Sequence, residues 1–574
     1  MKQTVLIRLI CLILVLVLSI SAFSGCNSSN PKENASSEIS SESSTNENVS
    51  DEDTADDTSE DEDTEDEDTE DDSFDDFSDW DDSEEEFSDK KTIYIHNNEI
   101  INDNFRGINY VYQLYQRMPD HLGRKYTEEQ LQYEYETIDK MGFSMIRSFY
   151  GSSIVWDPVK QMHDYDSEYM KAFYESCRDM EKLGIDVGVT MAWDLKSFFK
   201  TEVSTEQRVD LYSSGYVVPG DYDATMRNFS VFVKESVLAF KAHGINNIKY
   251  IYAFTECNNL YGYDLIARDY DTVIPLYEKA LIALDEGLKS SGLRKQYKVV
   301  APCDNWRNDP EYSRLVRHTV EHLSDRADII GSHNGYPMAE NYVEDMFYDY
   351  PWEKLNGVIE EAKSVGKEFW VDETNASLRA MLTCTVKEKR EIKGNKYRGV
   401  AFGSMVNGMM NIGGISNMLI WALVDQQWAG NTVNNAEFDN GVQALGYLPN
   451  LMESTIPTAP WYIVSALTRY IGSGKIYNVT DDFGFYASAI ERHDGEMTIV
   501  VTNYDVTEVE FDMEFDSAIG GKTFYRYLYD ANKITPAPGN DMLKPDSVAK
   551  NVKTGLTDVV PGMSVAIYTT VKEN

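Results

Sequence analysis

The chain is 574 residues long and carries 97 Asp and Glu against 52 Lys and Arg, a formal net charge of −45. That length exceeds one ordinary hydrophobic core and predicts two folded units with tails. Without a basic patch the charge argues against a nucleic-acid partner, and six cysteines with no CxxC pair argue against a disulfide framework or a zinc site.

Lys2 and Arg8 flank the start of an apolar run, Leu9 to Ile20, and Ser24 and Gly25 lead to Cys26. The run is short for a membrane span and is followed by a polar tract, so residues 1–25 read as a secretory signal. Its ending, Phe23-Ser-Gly-Cys26, resembles a bacterial lipoprotein signal, with Phe23 in place of the usual leucine. The resemblance implies lipidation of Cys26 and a protein anchored to the extracellular face of a bacterial cell membrane. Residues 27–89 hold 29 Asp or Glu and one Lys. Self-repulsion there exceeds anything burial could offset, so 26–90 is expected to be a disordered acidic linker. The linker's −28 and the leader's +2 leave −19 of the −45 for residues 90–574.

Thr92 to Ile101 forms two alternating runs about Asn97-Asn98, read as a hairpin. Phe105-Arg-Gly-Ile-Asn-Tyr-Val111 follows as a first core strand. Helical patterns then cover 128–141, 168–183, 225–243, 271–289, 313–323, 352–365 and 396–411. They alternate with strand patterns over 143–149, 185–193, 248–254, 298–303, 327–333, 367–375 and 415–421. Gly142, Gly184 and Gly244 close three of the helices just before the next strand. Eight strands with helices between them predict a (β/α)8 TIM barrel over 91–472. A doubly wound sheet would carry a Gly-rich phosphate loop, and none follows any strand. From 473 the period shortens to alternating runs such as Met497–Thr502 and Ser564–Thr569, separated by turn signals, which predicts a β-sandwich over 473–574.

Two of the barrel strands end on an acid. Ile248-Lys-Tyr-Ile-Tyr-Ala-Phe254 is apolar and aromatic and delivers Glu256 where it stops, and Lys367-Glu-Phe-Trp-Val-Asp-Glu373 delivers Glu373. The carboxyl ends of barrel strands build the active site, so the acids of strands four and seven face one cleft and suit paired acid/base chemistry. If its strand is regular, Asp372 points away from Glu373.

With these acids the chain resembles the clan A glycoside hydrolases, the retaining β-glycosidases. Arg106-Gly-Ile-Asn-Tyr110 resembles the entry to their first strand. The resemblance implies Glu256 as proton donor and Glu373 as nucleophile, with Arg147 keeping Glu373 ionised. It also implies that His333 and Tyr336 contact sugar or nucleophile, and that Trp421 floors the reactive subsite. One position departs: the clan has Asn before the acid/base, reaching the sugar 2-hydroxyl, and here Thr255 stands there, so that either Asn258 or Asn259 supplies the contact, or the substrate's 2-position is treated differently, or the enzyme is slow or inactive. Trp193, Asn305, Trp306 and Trp428 are further sugar-binding candidates at strand ends, as are Trp156, Asp304, Asp425, Gln426 and Gln427. The implied activity is double-displacement cleavage of β-glycosidic bonds in an oligo- or polysaccharide by a monomer, without metal or cofactor. The alternative is a carbohydrate-binding surface lipoprotein that does not turn over.

Overall fold

The alternation of helix, glycine and buried strand closes into a barrel. The computed structural model describes residues 90–572 except 115, 119–124, 151–154, 158, 192–217, 219–220, 253, 256–269, 306–312, 334–337, 340–351, 379–394, 428–441, 444–445, 450, 452–453 and 482–485. After β1 (Lys91–Phe105) come eight barrel strands: β2 (Ile108–Val111), β3 (Met145–Phe149), β4 (Asp186–Thr190), β5 (Ile248–Tyr252), β6 (Lys298–Asn305), β7 (Ile329–His333), β8 (Glu368–Thr374) and β9 (Ile415–Ile420). Each pairs parallel with its neighbours, and β9 returns to β2, closing the ring. β3, β7 and β9 are buried along their whole length, as parallel strands covered on both faces must be. The covering helices are α1 (Glu128–Met141), α2 (Glu168–Lys182), α3 (Tyr222–Ala242), α4 (Tyr270–Ser290), α5 (Arg314–His322), α6 (Trp352–Ser364) and α7 (Tyr397–Asn411), and α8 (Trp461–Ile471) follows the barrel.

α1 shows how such a helix is set. Thr127 accepts from the Gln130 amide (3.2 Å) while Gln130 Oε1 accepts from the Thr127 amide (2.9 Å), a reciprocal cap that satisfies two free donors. Gly142 ends the helix at φ +68°, a left-handed conformation that glycine adopts without strain. On its inner face Glu134 is buried and accepts from the Tyr112 hydroxyl just beyond β2. Burial pushes this carboxyl up to about 7 from an ordinary 4.5, against the lowering effect of its hydroxyl partners. A folded-state value above the unfolded one means that the stability present below about pH 4.5 is lost as pH rises through about 7. The expected loss is about 3 kcal/mol, and Glu134→Gln should remove it. Urea unfolding of both proteins between these pH values checks this; parallel stability curves would refute it.

The N-terminal segment departs from its expected hairpin. Lys91–Phe105 is one strand, paired antiparallel with β10 (Gly474–Asp481) and parallel with β13 (Val509–Phe515). The ladder to β10 shifts register between His96 and Ile100. The Asn-Asn pair is taken up in this irregularity rather than in a turn, because Asn97 Nδ2 donates to Ser517 Oγ (2.9 Å) and Asn97 Oδ1 accepts from the Ser517 amide (3.0 Å). Between and beyond these strands lie β11 (Tyr486–Arg492), β12 (Met497–Asn503), β14 (Lys522–Asp530), β15 (Ser547–Val552), β16 (Gly555–Val560) and β17 (Ser564–Thr569). Hydrogen bonding joins the nine described strands in the mixed order β15-β14-β17-β12-β11-β10-β1-β13-β16, and strands far apart in that order face each other, Phe511 of β13 meeting Tyr568 of β17 edge-on at 6.3 Å. β1 provides the continuity by joining β10 to β13.

The central strands of this sheet, β12 and β17, are buried on both faces. Val500, Val565 and Ile567 belong to the core shared with the barrel, and their neighbours Ile499, Val501, Ala566 and Tyr568 to a second core. α7 meets the first face through two glycines one turn apart. A Cβ on Gly399 would lie 2.7 Å from the Tyr529 ring, and one on Gly403 would lie 2.7 Å from Val565. Asn407 then donates to Thr502 (3.2 Å) and accepts from Ser488 (2.6 Å), so the sheet is locked to the barrel by packing and by satisfied buried polar groups.

Candidate active site

At the carboxyl end of the barrel the interior is occupied by charge. Arg147, in the middle of β3, is fully buried. Its Nη1 donates to Glu373 Oε2 (3.2 Å) and to the Asp372 carbonyl (3.1 Å) and lies 3.1 Å from His333 Nε2, while Nε donates to Thr190 Oγ1 (3.0 Å). Nη1 has two protons to share among its three neighbours, since a guanidinium can only donate. The Arg147 guanidinium also lies over the Tyr252 ring, 4.8 Å from its centroid. Desolvation alone would lower the Arg147 pKa, but the charges of Asp372 and Glu373 outweigh it and the pKa is raised. The guanidinium is thus a permanent cation, hydrogen-bonded at 3.2 Å to the Glu373 carboxylate, and a cation so placed favours the charged form of an acid.

β8 does not alternate regularly here. Against β7 it pairs Val371 with Ser332 and then Glu373 with His333, with a register shift between the two. Asp372 therefore does not turn away as regular alternation would have it. Its carboxylate lies in the interior, with Oδ1 3.8 Å from His333 Nε2, while Glu373 Oε2 is 3.7 Å from the same nitrogen. Placing two consecutive acids on one side is what a local bulge achieves.

Trp421, just past β9, is buried, and its ring meets Phe149 of β3 edge-on at 5.6 Å. The Trp421 amide donates to Thr374 O (2.8 Å), and its carbonyl accepts from Asn375 Nδ2. Asn375 Oδ1 in turn accepts from the Tyr447 hydroxyl and from Arg398 (3.1 Å), whose Nε donates to Ala376 O (2.8 Å). One buried polar network thus sets both the backbone after Glu373 and the position of Trp421.

The structure therefore brings together four of the expected residues: Arg147, His333, Glu373 and Trp421. Thr255 is half-buried three residues beyond β5, and Asn305 is the last residue of β6, paired with His333 in the ladder. Cys26, Trp193, Glu256, Asn259, Trp306, Tyr336 and Trp428 lie outside the described residues. Asp304 and Asp425 are engaged in the scaffold, Asp304 accepting from Ser332 Oγ (2.6 Å) and Asp425 from the Gly446 amide (2.8 Å). Trp156 packs edge-on against His163 at 5.5 Å. Thr190, Tyr252 and Asp372 of the charged cluster and the Asn375–Arg398–Tyr447 network were not foreseen. Thr190 and Tyr252 each close a barrel strand, which was the one available signal. Among the described residues no group of three or more His, Cys, Asp or Glu could hold a metal ion, and no helix is long and apolar enough to cross a membrane.

No family model matches the chain, and no curated protein does. Solved structures match by shape. A glycoside hydrolase family 30 subfamily 8 xylanase from Clostridium acetobutylicum has a TM-score of 0.52 at 14% identity, over 83% of this chain and 99% of that one. An endo-β-1,6-glucanase gives 0.54 at 17%, over 84% and 94%, and a glucosidase from Croceicoccus marinus 0.53 at 10%, over 84% and 98%. The likeness is one of fold. It extends over nearly the full length of those chains and over most of this one, so the described barrel and sheet have counterparts of the same overall shape among solved glycoside hydrolases.

Proposed function

We propose that this chain is a retaining glycoside hydrolase that cleaves β-glycosidic bonds by double displacement. The observation that carries the reading is Glu373: a carboxylate at the carboxyl end of the seventh barrel strand, hydrogen-bonded by a buried arginine and flanked by His333. In the first step a Glu373 oxygen attacks the anomeric carbon as the bond to the leaving oxygen breaks, and Glu256, carried by the segment after β5, gives that oxygen its proton. In the second, Glu256 takes a proton from water as the water oxygen displaces Glu373 and restores the hemiacetal. Retention needs the two carboxyls about 5 to 5.5 Å apart. Trp421 offers a ring edge-braced by Phe149 against the apolar face of the sugar. The lipid anchor at Cys26 and the acidic linker would place this activity outside the cell membrane, on polymeric or oligomeric glycans.

A second reading, a glycan-binding protein without turnover, is favoured by Thr255 alone, because its side chain is too short to reach a 2-hydroxyl as asparagine does. Incubation with β-mannan, β-glucan, β-xylan and β-galactan separates the two readings. Hydrolysis is expected on at least one, with proton NMR showing the β-anomer formed first. An α-anomer would refute double displacement, and retention on a glycan gel with no product would favour the binding reading.

A further inference from the structure

Asp372 is fully buried, and among the described residues neither of its carboxylate oxygens has a hydrogen-bond partner. A carboxylate in this state is costly unless a nearby charge compensates it. The space it occupies is prepared for it: a Cβ on Gly331 would lie 2.7 Å from Asp372 Oδ2, so the glycine opposite it leaves the room. The titratable and charged groups coupled to Asp372, Glu373 and Arg147 are Tyr252 from β5, Cys303 from β6 and His333 from β7. Asp304 Oδ1 accepts from Ser332 Oγ, and His333 Nε2 lies 3.1 Å from Arg147 Nη1. One guanidinium therefore serves two buried carboxylates, of which only Glu373 is hydrogen-bonded to it through its side chain.

We propose that Asp372 is a positioning residue that divides the charge of Arg147 with Glu373, and so sets the pH at which the nucleophile ionises. It does not touch substrate; it acts through Arg147. The inference rests on the hydrolase reading for its consequence in turnover, but not for its physical content. Asp372→Asn keeps the shape and removes the like charge, leaving Arg147 to Glu373 alone. Both effects favour the charged form of Glu373.

Two measurements test this. On whichever glycan of the panel is cleaved, the acid limb of kcat/KM should move down by about one pH unit in Asp372→Asn. Independently of any activity, the Glu373 carboxyl carbon, labelled with ¹³C-glutamate and assigned by its loss in Glu373→Gln, should titrate lower by the same amount in the variant. Asp372→Ser provides the same comparison if Asn is not tolerated. A uniform fall in kcat with an unmoved acid limb, or an unchanged Glu373 titration, would overturn the proposal and leave Asp372 as packing. If the wild-type protein cleaves no glycan, the hydrolase reading falls while the titration still decides the role of Asp372.

Discussion

Glu373→Ala is expected to reduce glycan hydrolysis by about 10⁵-fold, roughly 7 kcal/mol of lost transition-state stabilisation. The size follows from the role: of the other described carboxylates at the strand ends, Asp372 and Asp304 are fully buried and Asp425 holds the Gly446 amide. The variant should still fold, since Arg147 keeps Asp372, Thr190 Oγ1 and the Asp372 carbonyl as partners. It would leave an anion-sized gap beside the guanidinium, so azide or formate should restore part of the rate. Glu256→Ala should behave differently. With an activated aryl glycoside, whose leaving group needs no proton, the first step should survive and the covalent intermediate should accumulate as a burst. Hydrolysis at the wild-type rate in both variants would end the assignment.

Arg147→Met should cost about 4 kcal/mol of folding stability, because it strands two buried carboxylates without a counter-ion. Loss of the cation also raises the Glu373 pKa, so the nucleophile holds its proton to higher pH and the acid limb of kcat/KM moves up, opposite to the shift expected for Asp372→Asn. Arg147→Lys keeps the charge but not the planar fork that reaches Thr190 and Glu373 together, and should recover stability more than rate. Chemical denaturation and pH-rate profiles of the two variants check both statements. Unchanged stability in Arg147→Met would show that the cluster is not held by this cation.

The legible part of this chain is its local part. Apolar period and glycine stops place α1 over 128–141 and close it at Gly142, because a helix and its cap are built from neighbours in sequence. The same holds for the eight strands, whose burial shows in their own composition, and for Glu373 near the end of β8. The hairpin reading of Thr92 to Ile101 failed because β1 takes its partners from β10 and β13, some four hundred residues away, and Asn97 is satisfied by Ser517 rather than by a turn. The side of Asp372 could not be read from alternation, which is a rule for regular strands, because β8 shifts register between Val371 and Glu373 against β7 and between Val371 and Thr374 against β9.

The sequence by itself therefore determined the alternation of elements, the closure into a barrel and the candidate carboxylates, since each rests on hydrophobic period and on residues within one element. Only the tertiary structure decided that Arg147 stands between Asp372, Glu373 and His333, and that Gly331 makes room for Asp372. Electrostatic coupling depends on distances across the barrel, between side chains from strands far apart in the chain, and no pattern local to any one of them carries it.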